Sequence, residues 1–213
     1  MDRDQILQEL TAERADLCDF LEQLDPHDWS TPSLCAGWTV HDVVAHLTLN
    51  TEVTTLGFML GLIRARGNFD RMSLQRAHNE AATSSPTSLI ARLRQHAGSP
   101  QRAPGSAHID PLLDVLIHGQ DIARAVNRPR PIPNHRALPA LEHAIASRFY
   151  GAPKRFRGMR LVATDAHWSH GDGPHEIRGT AAELLLVATG RTAGLANLTG
   201  NGVPTVSERL LSC

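Results

Sequence analysis

Asp114 and His118 stand four positions apart in the segment Asp114-Val-Leu-Ile-His118-Gly-Gln-Asp121. On an α-helix that spacing puts both side chains on one face, a turn apart. A carboxylate oxygen and an imidazole nitrogen leaving one helix together form a two-point clasp for a divalent metal. His46, far upstream on another predicted helix, supplies a third donor. Three protein ligands with one open position make a catalytic zinc centre. An isolated Asp–His pair at this spacing is more often a surface hydrogen bond, so the surroundings decide. Leu112, Leu113, Val115, Leu116 and Ile117 flank the pair, and His46 sits between Val43-Val44-Ala45 and Leu47. Burying Asp114 on so apolar a helix without a partner would cost several kcal/mol, which a metal or a paired imidazole removes. Asp121, one turn past His118, has several readings. It orients the His118 ring from behind, replaces Asp114 as ligand, acts as a base on metal-bound water, or pairs on the surface with Arg124.

The elements that must position these residues follow from periodicity. Ile6, Leu10, Leu17, Leu21 and Leu24 recur at helical multiples and predict an amphipathic helix over about 3–24, stopped by Pro26. Thr39, with Asp42 three residues on, is a variant capping box opening a long apolar helix over 40–66 that carries His46 in its second turn. After a break at 67–70, further helical segments run through the seventies and past Pro86. Pro111 opens the helix with the clasp, which runs to about Val126, and 138–150 reads as one more helix. Beyond Pro153 the texture changes. Residues 159–164, 167–169 and 175–179 read as short strands, and Thr180 with Glu183 as a capping box for a helix ending at Gly190. The expected fold is mainly α: an up-down four-helix bundle over 1–152 followed by a small α/β domain over 153–213.

Composition narrows the function classes. A net charge of -1 gives no electrostatic case for nucleic acid or an anionic membrane. The apolar run 56–63 is too short to span a bilayer, and the N-terminus lacks an apolar signal core. Three cysteines (Cys18, Cys35, Cys213), odd in number and without a CxxC pair, argue against a disulfide framework, so a cytoplasmic location is expected. With 12 histidines in 213 residues, several must simply be exposed. Cys35 reads as a packed loop residue rather than a nucleophile, because no histidine pairs with it recognisably in sequence. Trp29 and Trp38 read as the apolar staple of the second helix, with a pocket wall as a further role. A homodimer is compatible with the sequence.

The pattern Trp29…Pro32…Cys35-x-Gly-Trp38-Thr-Val-x-Asp42-Val-x-Ala-His46-Leu, followed by Asp114-x-x-x-His118-x-x-Asp121-x-Ala-Arg124, resembles the mycothiol-dependent maleylpyruvate isomerase family of actinobacteria, within the DinB-like four-helix-bundle superfamily. The tail, Arg178-Gly179-Thr-Ala-Ala-Glu-Leu184 through Gly190-Arg191 to Leu198-x-Gly200-x-Gly202, is similar to the small C-terminal domain of such proteins. The resemblance implies a divalent metal, usually zinc, on His46, Asp114 and His118, with mycothiol as thiol cosubstrate and a small-molecule substrate. It departs at one point: the family's acid is typically Glu, and Asp114 is shorter by a methylene. The implied reaction adds a thiolate to an activated double bond, or transfers the thiol to an electrophile. The enolate oxygen that develops needs a cation; Arg191 is the first candidate for it and Arg178 the second. For Arg191 the competing reading is a basic residue beside the Gly190 helix cap. A metal-dependent hydrolase and a non-catalytic metal-binding or ligand-sensing bundle are the alternatives.

Overall fold

The computed structural model describes residues 1–212, which fall into two compact units, 1–130 and 131–212. The first unit is all helical. α1 (Arg3–Leu21) is capped by Asp2, whose carboxylate accepts from Gln5 N while the Gln5 side chain accepts from Asp2 N. α2 (Val40–Thr51) starts at Thr39, where the expected capping box forms with Asp42 in both directions; such caps stabilise a helix by about 1 kcal/mol. α3 (Thr55–Arg64) and α4 (Phe69–Thr83) form a hairpin, followed by α5 (Pro86–Gln95) and α6 (Asp110–Ala125).

Both α1 and α2 pack against α5 and α6, closing a four-helix bundle with α4 laid on the outside of α2. Its core is aliphatic: Leu10, Leu17 and Leu21 of α1, Val43, Val44 and Leu47 of α2, Leu89 and Leu93 of α5, and Leu112, Leu113 and Leu116 of α6. The single long helix expected over 40–66 is in fact two. Thr54 Oγ1 accepts from Gly57 N and caps a new start. Hydroxyl side chains compete with the helix ladder in this way, and the apolar pattern runs straight across the break. Among the described residues α3 buries none of its own side chains.

The second unit opens with α7 (Asn134–Ala146) and the single turn α8 (Ala152–Arg155). β1 (Met159–Ala163) pairs antiparallel with β2 (Ser169–His170) on one side and parallel with β3 (His175–Gly179) on the other, with Leu161 opposite His170 and Ile177. α9 (Ala181–Ala188) packs on α7 and on β1 and β3, and α10 (Val203–Leu211) closes the chain. At Thr180 only half of the expected capping box forms: Thr180 Oγ1 accepts from Glu183 N, while Glu183 Oε1 accepts from Asn197 Nδ2.

One helix differs from the sequence reading: α7 spans Asn134–Ala146 rather than 138–150, with Pro139 inside it. Its packing partner is α9, within the unit that opens at Pro131. Among the described residues no helix is long and apolar enough to cross a membrane.

Candidate metal centre

α2 and α6 face each other in the bundle, and their polar side chains meet there. Asp114 and His118 leave the same face of α6, as the spacing requires, with His118 Nε2 3.4 Å from Asp114 Oδ1. His46 comes from α2 with its Nε2 3.7 Å from Asp114 Oδ2. One ligand atom from each of His46, Asp114 and His118 lies within 4.8 Å of the other two, the spread that a single ion spans. The two imidazoles stand edge to face with centroids 5.1 Å apart. All three side chains are largely sheltered, Asp114 being the most open at 29%.

Asp121 occupies the other edge of the His118 ring. It is fully buried, so it is not a surface carboxylate. His118 Nδ1–H donates to Asp121 Oδ2 at 2.9 Å, which holds the ring proton on Nδ1 and leaves Nε2 turned towards Asp114. A ligand histidine held by a carboxylate behind it is the usual supporting arrangement in zinc sites. Between the two acids, Asp114 is the one placed beside both imidazoles.

The electrostatics follow from that placement. Burial works to lower the His118 pKa, but the Asp114 charge, with hydrogen bonds to Asp114, Asp121 and Cys35, overrides it and raises the value well above the usual imidazole range. For Asp114, burial pushes upward, and His118 and His46 outweigh it and hold the carboxyl well below the usual carboxylate range. Metal-free, the pair therefore leans towards an imidazolium beside a carboxylate. A metal ion takes the place of that proton.

The loop before α2 completes the site. Ser33 N donates to Trp38 O, Val40 N to Thr31 O and Trp38 N to Cys35 O, so the loop closes on itself. Gly37 at φ 80° supplies the left-handed residue that this tight turn needs. Leu34 N then donates to the backbone oxygen of Asp121 and pins the loop onto α6. Cys35 thereby sits with its thiol donating to Asp121 Oδ2 at 3.1 Å, and 3.6 Å from His118 Nδ1. Cys35 is thus a neighbour of the site, contrary to the sequence reading, which found no histidine near it. Trp38 lies with its ring centroid 5.1 Å from His46 and stacks at 6.3 Å on His118, forming a wall. Trp29 packs edge-on against His41.

A further residue was missed. Asn50, one turn after His46 on α2, places Nδ2 2.9 Å from His46 Nε2 and 3.0 Å from Asp114 Oδ2. Its i+4 spacing from His46 was a usable signal. Arg191 and Arg178 belong to the second unit. Arg191 immediately precedes the 3-10 turn after α9, with Nη1 donating to Thr189 O, and Arg178 pairs with Glu176 on β3.

Residues 10–112 match the family model described as mycothiol maleylpyruvate isomerase N-terminal domain, a span that contains His46 and ends just before Asp114. Among solved structures, a crystal structure of the mycothiol-dependent maleylpyruvate isomerase is similar at a TM-score of 0.62 and 16% identity, over 94% of this chain and 93% of that one. A histidine-to-alanine mutant of such an enzyme is similar at a TM-score of 0.59 and 16% identity, with the same coverage. No curated protein matches the chain.

Proposed function

From the match of residues 10–112 to the mycothiol maleylpyruvate isomerase N-terminal domain model, we propose a divalent-metal-dependent enzyme that uses mycothiol on a small electrophilic substrate. The observation that carries this reading is the convergence of His46, Asp114 and His118 on one ion-sized space, with Asp121 fixing the His118 ring from behind. These residues suit a zinc-like ion, offering two imidazole nitrogens and a carboxylate. When bound, such an ion lowers the pKa of a coordinated thiol, so that thiolate exists at neutral pH.

The chain's own residues do the rest. His46 and His118 present Nε2, Asp114 supplies the negative charge, and Asp121 keeps the His118 proton at Nδ1. Trp38 stands against both imidazoles as one wall of the site. For a cis–trans isomerisation, a sulfur–carbon bond forms at the activated double bond and the π pair moves to the conjugated carbonyl oxygen. Rotation about the new single bond and expulsion of the thiolate then restore the double bond as trans, so the thiol is regenerated. A cation facing the enolate oxygen would steady the charge that develops there.

Elemental analysis of the purified protein beside Asp114→Ala and His118→Ala tests this reading. The expected result is about one divalent ion per chain, lost in both variants while the helical circular dichroism persists, together with thiol-dependent isomerase or transferase turnover in the native protein. No ion after incubation with zinc, or full retention in His118→Ala, overturns the assignment. A loaded protein inert towards mycothiol but hydrolytic moves it to the metal-dependent hydrolases.

A further inference from the structure

Asn50 stands where a fourth donor would, and we infer that its side-chain amide is a ligand of the metal centre, presenting Oδ1 to the ion. The inference rests on the metal-centre reading above. Its basis is local: the amide nitrogen lies 2.9 Å from His46 Nε2 and 3.0 Å from Asp114 Oδ2, contacting two of the three other ligand atoms at once.

In the metal-free chain the lone pairs of His46 Nε2 and Asp114 Oδ2 accept the two amide hydrogens. An ion needs those same lone pairs, and an NH2 group cannot stay aimed at a cation. The two ends of a carboxamide are nearly the same size, and which end faces a site is decided by its partners. Half a turn about the last side-chain torsion replaces nitrogen with oxygen and leaves α2 unmoved. Asn50 therefore fills the gap with hydrogen bonds when the ion is absent and with an oxygen lone pair when it is present.

Two imidazoles, one carboxylate and one neutral amide oxygen make a harder donor set than three ligands alone, better suited to zinc, cobalt or manganese than to soft ions. The amide is the weakest donor of the four. With an ion bound, it would be the donor most readily given up to an incoming thiol.

Cobalt(II) titration of the full-length protein, followed by its visible absorption, tests the inference. The variants are Asn50→Leu, which keeps the volume and removes the donors, Asn50→Ala as a second donor-free variant, and Asn50→Asp, which keeps an oxygen and adds charge. The expected result is a roughly tenfold weaker Kd in Asn50→Leu and Asn50→Ala with altered cobalt bands, and binding at least as tight as native in Asn50→Asp. Native affinity and bands in both donor-free variants, or tighter binding in them, overturn the inference while leaving the three-ligand centre intact. If the native protein takes up no cobalt, both this inference and the metal-centre reading fall.

Discussion

Arg130 and Glu13 meet at 2.6 Å with side chains 7% and 2% exposed, whereas Asp114 stands 3.4 and 3.7 Å from two imidazoles and keeps 29% of its side chain open. Both groups are built on the same bundle. The first is a finished ion pair. Its guanidinium reaches Glu13 by running along α6 at Gly119, where a Cβ would lie 2.7 Å from Arg130 Nη1. The second spreads one carboxylate over two rings at 3.4 and 3.7 Å, well beyond the 2.6 Å of the finished pair. It leaves acceptor capacity that only a proton, an amide or a metal can use. Charge that is closed on itself holds the fold together, and charge left partly unsatisfied in a sheltered gap is where a ligand enters.

That contrast can be broken most directly by removing one member from each side. Glu13→Ala leaves Arg130 buried without its carboxylate and is expected to cost about 3–5 kcal/mol in urea unfolding. Asp114→Asn in metal-free protein is expected to cost a smaller amount, about 1 kcal/mol, because the site is partly open and the pair is loose. Equal losses would mean that the Asp114 cluster is structural, like the Glu13 pair.

Asp121→Asn probes the support behind His118. It keeps the shape and removes the charge that fixes the ring, so metal affinity should weaken about 10–100-fold with little change in stability. Unchanged affinity would show that Asp121 does not act on the metal through His118.

The smallest expected effect is in the pH dependence of stability. The raised His118 pKa means that its stabilising charge is fully present below the ordinary imidazole value and is lost as pH rises through the folded value. Asp114 is lowered, so its contribution is present above the ordinary carboxylate value and lost as pH falls through the folded one. Together they contribute fully from about pH 4 to about pH 6.5. Chelated protein should therefore lose thermal stability on going from pH 7 to pH 9, and added zinc should remove that loss. A flat profile without metal would contradict the pairing.

That His46 lies on one helix and Asp114 and His118 on one face of another was legible, because helical spacing and apolar neighbours are local properties of the chain. The mainly α bundle with a small α/β tail was legible for the same reason, as were the caps at Thr39 and Thr180. Cys35 was not. It reaches His118 and Asp121 only because Leu34 N bonds the backbone of Asp121, a contact between loop and helix that no spacing encodes. The break before α3 was hidden because one hydroxyl cap interrupts an apolar run without changing its period.

The amino-acid sequence by itself determined which residues could ligate a metal and which helix faces carry them, since periodicity and side-chain chemistry depend only on near neighbours. Tertiary structure alone decided that α2 and α6 lie face to face, that Asp114 rather than Asp121 stands beside both imidazoles, and that Asn50 and Cys35 join them. Those outcomes depend on which of several apolar faces pack together, a choice made by the whole core and not by any one segment.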